Sequence, residues 1–146
     1  MIEQIQKKIS PVFKNNSEIA AVYLFGSHAT QKANDNSDID LAILFEKRLF
    51  NYESYQRREK YFLRLTRALG TEPDLVDMEE VNLILLFEIL TDGKILIENN
   101  IVKNRQFRAQ KIVECLDFQI TFKQFAQSMH ANAVERLKDG KNIGPL

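Results

Sequence analysis

Cysteine occurs once in this 146-residue chain, at Cys115, and histidine twice, at His28 and His130. A lone cysteine excludes an internal disulfide and a cysteine-rich zinc site, and two histidines so far apart match no metal-ligand spacing. Net charge is missing too, since 20 Lys and Arg offset 20 Asp and Glu. Proteins that hold long nucleic acids by neutralising phosphates usually carry a basic excess or stripe. The densest basic cluster, Arg57-Arg58-Glu59-Lys60 with Arg64 and Arg67, falls on a predicted helix with acids interleaved and reads as a solvated face. No apolar run approaches membrane-spanning length, and the opening MIEQIQKKISPVF lacks the apolar stretch of a signal peptide. The cytoplasm is therefore the expected compartment. Repeats, low-complexity segments and linkers are also lacking, so the length predicts a single domain over 1–146.

What is present is a spaced motif. Gly26-Ser27 is followed ten residues later by Asp38-Ile39-Asp40, between two apolar runs, Ala21–Phe25 and Ile39–Phe45. Both runs are short and rich in Val, Ile, Leu and Phe, as buried strands are. The glycine and serine therefore sit where one strand ends, and the aspartates where the next begins. Side chains at i and i+2 on a strand share a face, which would aim the Asp38 and Asp40 carboxylates at one place. Hard oxygen ligands gathered this way suit Mg²⁺, which is commonly shared between a few carboxylates and substrate phosphates. Gly26 lets a triphosphate approach the backbone. Ser27 adds a hydroxyl and an amide, and a helix beginning at about His28 would add free N–H groups. The plainer alternative is a polar surface turn built on Asn34-Asp35-Asn36-Ser37. Four specified residues at fixed spacing would match by chance about once in several hundred chains of this length, and flanking strands reduce that further.

Two-metal chemistry at phosphorus generally wants another carboxylate. The next strand-like run, Asp74-Leu75-Val76-Asp77-Met78, follows Gly70-Thr71-Glu72-Pro73. Asp74 and Asp77 are three apart, so a regular strand turns them to opposite sides and only one can join Asp38 and Asp40. Asp74 is the choice, because Val76 follows it on the same side. Asp77 stays open as the alternative.

Gly26-Ser27, Asp38-Ile39-Asp40 with Leu41-Ala42-Ile43-Leu44, and Asp74-Leu75-Val76-Asp77 together resemble the polymerase-β-type nucleotidyltransferase superfamily. Phe87–Glu98 and Arg105 extend the likeness to its small members, the minimal nucleotidyltransferases (MNT), over roughly residues 18–120. The resemblance implies that Gly26 and Ser27 hold the β- and γ-phosphates of ATP. It implies likewise that Asp38, Asp40 and Asp74 hold Mg²⁺, two ions in all, with Asp74 (or Asp77) as base. Many relatives carry an arginine soon after the glycine-serine pair; here the run is His28-Ala29-Thr30-Gln31-Lys32, with Lys32 as the available cation. MNT proteins are commonly antitoxins of HEPN-domain ribonuclease toxins, so the resemblance implies transfer of AMP to a toxin tyrosine within a hetero-oligomer. Alternatives are an antitoxin that neutralises by binding alone, or transfer to a small molecule, for which the chain lacks the usual acceptor domain.

The expected fold is mixed α/β, a small sheet flanked by helices. The predicted order is helix 2–14, strand 20–25, a short helix or loop to 37, strand 38–45, helix 52–69, strand 74–78, helix 82–91 and strand 94–98. These form a core over about 18–100, followed by a C-terminal helical segment over about 104–138 that stops near Gly140. That last helix is apolar on two sides. Ala109, Val113, Leu116, Ile120 and Val134 share one face, and Phe107, Phe118, Phe122, Phe125 and Met129 nearly the opposite one. One small domain can bury only one stripe, so either the other is an interface or the helix breaks near Asp117 and both halves fold back.

Overall fold

A computed structural model describes residues 1–34 and 36–138. Helix α1 (Ile2–Phe13) leads into strand β1 (Ile19–Phe25) and, past a 3₁₀ turn at Gly26–His28 and a loop, into β2 (Asp40–Phe45). Then follow α2 (Asn51–Leu69), β3 (Asp74–Asp77), α3 (Leu83–Asp92), β4 (Lys94–Glu98) and the long α4 (Ile101–Lys138). The strands form one sheet in the order β3-β2-β1-β4. β1 runs antiparallel to both β2 and β4, while β2 and β3 are parallel. This is the mixed α/β layer expected from the sequence.

Strand alternation splits the core in two. Val22 and Leu24 of β1 and Leu41, Ile43 and Phe45 of β2 face α1 and α2, where Ile5, Ile9, Phe13, Tyr61 and Leu65 cover them. Ala21, Tyr23, Ala42 and Leu44 face the other way, under Leu86, Ile89 and Leu90 of α3 and Cys115 of α4. Both helices on the first side show the 3–4 spacing that makes one stripe apolar, Ile5-Ile9-Val12 in α1 and Tyr61-Leu65-Leu69 in α2. Gly70 ends α2 at φ +77°, its N–H on the Thr66 carbonyl, a conformation that costs glycine little.

Several boundaries differ from expectation for local reasons. β2 begins at Asp40 rather than Asp38, because Phe25, the last residue of β1, pairs with Asp40 and leaves nothing beyond for Asp38 to pair with. α4 begins three residues early, at Ile101, since the Asn100 side chain accepts the Lys103 N–H and caps it. The expected stop near Gly140 lies outside the described residues.

α4 does not break near Asp117; it is one helix of 38 residues. Its first turns are anchored by buried Asn104, which accepts from the Tyr23 hydroxyl and donates to Glu98. Arg108 donates to the Leu90 carbonyl, and Phe107, Ile112 and Cys115 pack on the α3 layer. From Leu116 onward nearly every residue is exposed. At about 100° per residue, Phe118, Phe122, Phe125 and Met129 continue the face that Phe107 and Cys115 use against the domain. Among the described residues no helix is long and apolar enough to cross a membrane.

Candidate active site

The site sits where β1 ends, β2 begins and β3 runs alongside. Phe25 pairs with Asp40, which puts Gly26 directly over the Asp40 side chain. Gly26 has φ +71°, and a Cβ built on it would stand 2.2 Å from Asp40 Oδ2. Backbone and carboxylate therefore meet at a distance no side chain would allow. The chain does not enter a regular helix here. Its single 3₁₀ turn ends at His28, with the Ala29 and Thr30 N–H groups on the Gly26 carbonyl. The anion site expected from a helix N-terminus reduces to this one turn. Lys32 is exposed, its backbone N–H on the Ser27 carbonyl.

Asp40 lies opposite Asp74 in the parallel β2–β3 register. By alternation Asp40 shares a face with Ala42 and Leu44, and Asp74 with Val76, which packs in the same α3-side layer. The crowding has an electrostatic signature: the Asp40 carboxyl is pushed up to about 6. Partial burial is the largest cause, followed by Asp74 as hydrogen-bond partner and like charge and then by the Asp38 charge; His28 opposes them.

Asp38 is exposed at the end of the loop rather than within the strand. Among the described residues no three His, Cys, Asp or Glu side chains are already gathered as a metal-ligand set. The structure thus brings Asp40 and Asp74 together beneath Gly26, with Asp38 bearing on them through charge. Buried His28 ties the loop down just before Asp38, its Nε2 3.1 Å from the Ser37 carbonyl. Hard oxygen donors, mutual repulsion and a glycine cradle are what a divalent cation and a phosphate would relieve and occupy, so these residues fit Mg²⁺ and a nucleotide.

Asp77 is placed elsewhere. It is buried on the α2 side, with Oδ2 3.5 Å from Arg57 Nη2 and Oδ1 accepting the Glu79 N–H. Arg57 is not part of a solvated basic face as its sequence neighbours suggested. Its guanidinium lies 3.6 Å from the centroid of the Phe45 ring and donates to the Lys47 carbonyl. The 3–4 spacing Arg57-Tyr61-Leu65 was the available sign that this arginine points inward.

The profile of the polymerase beta nucleotidyltransferase family matches residues 7–102. Protein adenylyltransferase MntA of Shewanella oneidensis is 33% identical over 90 residues, which cover 61% of this chain and 62% of that protein. The match therefore spans under two thirds of the curated relative's length. A second relative, a candidate protein adenylyltransferase of Methanocaldococcus jannaschii, is 27% identical over 56% of this chain and 79% of its own. Among solved structures, a chain of a toxin–antitoxin complex with AMP-PNP superimposes with TM-score 0.62 and 25% identity, covering 91% of this chain and 98% of that one. The complex of tri-AMPylated Shewanella oneidensis HEPN toxin with its MNT antitoxin gives TM-score 0.61 at 24% identity, over 92% and 99% of the two chains, a likeness of fold. With the family profile running from α1 to the start of α4, across every strand of the site, the chain belongs to the polymerase beta nucleotidyltransferase family.

Proposed function

We propose that the protein is an antitoxin adenylyltransferase that moves AMP from ATP to a tyrosine hydroxyl of a HEPN-type toxin. The observation that carries this reading is the Asp40–Asp74 pair apposed across β2 and β3 beneath the Gly26 cradle. Asp38, Asp40 and Asp74 would hold Mg²⁺, two ions in the full site, and Gly26 and Ser27 the β- and γ-phosphates. The metal supplies charge neutralisation for the triphosphate and for the charge that develops on it. The acceptor oxygen attacks the α-phosphorus, the bond to the β-phosphate bridging oxygen breaks, and pyrophosphate leaves with the electron pair. The hydroxyl proton passes to the Asp74 carboxylate, the more exposed of the pair. Such transfer is mostly positioning and electrostatics, which suits a site built from strand ends and one turn.

The protein acceptor is supported by the relatives, one of them named a protein adenylyltransferase, and by α4. Its distal half runs roughly 35 Å beyond the domain with Phe122 and Phe125 about 60% exposed, at 61% and 63%. Val113, Leu116 and Ile120 are exposed on the opposite side. An apolar surface of that length is a partner's contact.

The test is co-expression with a HEPN-type toxin, then incubation with ATP and Mg²⁺ and mass spectrometry. One or more added AMP masses on a toxin tyrosine supports the transferase. Toxin neutralised and unmodified, by wild type and by a D38A/D40A variant alike, would establish a binder instead.

A further inference from the structure

One guanidinium touches the far ends of both strands that carry the carboxylates. Arg57 Nη1 donates to the Lys47 carbonyl at 2.7 Å, two residues past the end of β2, and the guanidinium stacks on Phe45, the last residue of that strand. Nη2 reaches Asp77, the last residue of β3, at 3.5 Å. The two side chains are only 4% and 2% exposed. At the opposite ends of the same strands stand Asp40 and Asp74, in register.

β3 needs such a fastening. It has four residues and, among the described residues, lies at the sheet edge with β2 as its single strand neighbour. A slip of one residue would turn Asp74 away from Asp40 and put Leu75 or Pro73 in its place, by its direction. Within the strand itself the hydrophobic pattern resists this weakly, because Leu75 and Val76 are both only half-buried; the nearest buried apolar anchor on its C-terminal side is Met78, just beyond it. A buried ion pair adds little net stability over an apolar pair of the same shape, and its best-attested use is to fix register. Any slip of β3 would strand the Arg57 and Asp77 charges in the interior, apart from each other.

We propose that Arg57 is a positioning residue, acting through Asp77 and the end of β2 to hold β3 in the register that keeps Asp74 opposite Asp40. The metal side of this inference rests on the transferase reading; the register side does not. R57K, which keeps the charge and loses the fork, and R57M/D77L, which removes both charges, test it in the full chain. The first measurement is amide exchange along β3, where the Asp74 and Met78 N–H groups bond the Ile39 and Ile43 carbonyls. Exchange at those amides is expected to quicken at least tenfold while β1 and β4 stay protected. The second is the Mg²⁺ concentration for half-maximal AMP transfer, expected to rise about tenfold or more, as for other residues that orient metal ligands.

N104A, which loosens α4 instead, should melt earlier and leave the Mg²⁺ requirement unchanged; a role of Arg57 in stability alone would make R57K behave like N104A and overturn the proposal. Wild-type β3 exchange in folded R57K would overturn it as well. If R57M/D77L does not fold, R57K decides. If wild type transfers no AMP, the transferase reading fails on its own and amide exchange still decides the role of Arg57.

Discussion

Replacing Asp40 with asparagine should make the metal-free protein more stable, and only above a definite pH. Folding raises the Asp40 carboxyl from 3.8 to about 6, so the native state binds this proton more tightly than the unfolded chain. Below pH 3.8 both states hold the proton and the interaction costs nothing. Between 3.8 and 6 the unfolded chain gives it up while the folded one keeps it, so stability falls as pH rises. Above 6 the full cost stands. About two pH units correspond to ~3 kcal/mol. Much of Asp40 remains open to water, and screening brings the usable figure down to ~1 kcal/mol.

For a chain of this size that is a rise in Tm of about 3–4 °C. Thermal unfolding of wild type and D40N in EDTA should therefore coincide near pH 4 and separate by that amount at pH 8. Mg²⁺ should narrow the gap at pH 8, by stabilising wild type through binding and leaving D40N nearly unmoved. D40N melting at or below wild type at pH 8 in EDTA, or a gap independent of pH, would refute the argument that partial burial, with Asp74 and Asp38 adding to it, raises the Asp40 carboxyl. The two proteins share every other titrating group, so their difference isolates this site.

Other outcomes follow from single contacts. G26A places a methyl against Asp40 Oδ2 at a φ of +71°; it should lose about 1–2 kcal/mol of stability from the backbone alone and abolish the proposed AMP transfer, checked by melting and by a labelled-ATP assay. N104A removes a fully buried amide that joins Tyr23, Glu98 and α4, and should cost about 1–3 kcal/mol in a denaturant titration. F122D/F125D alters exposed side chains beyond the domain; Tm should stay within a degree or two while affinity for the proposed HEPN-type partner, read by calorimetry, falls at least tenfold.

Much of the fold was legible because its signals are local. Ala21–Phe25 and Ile39–Phe45 are apolar runs too short for helices, and Tyr61-Leu65-Leu69 repeats at helical spacing. The boundaries that moved were set across the chain. Asp38 looked like a strand residue because it borders the apolar run Ile39–Phe45, yet pairing with β1 ends at Phe25. The same β1 end gives Gly26 a second reason to be glycine: beside the phosphate approach that the sequence suggests, its backbone lies against Asp40.

Asp74 and Asp77 separate by a parity argument that needs only the strand, but choosing between them needs the neighbour. The parallel register puts Asp74 beside Asp40, and α2 supplies a buried cation for Asp77. That cation was the hardest residue to read. Arg57 sits among Arg58, Glu59 and Lys60, where composition says surface, and its burial depends on an acid twenty residues away and an aromatic on another strand. A charge enters a core only with a partner already waiting there, and sequence proximity carries no trace of that partner. The Asp that did not fit the site and the Arg that did not fit the surface are the two halves of one contact.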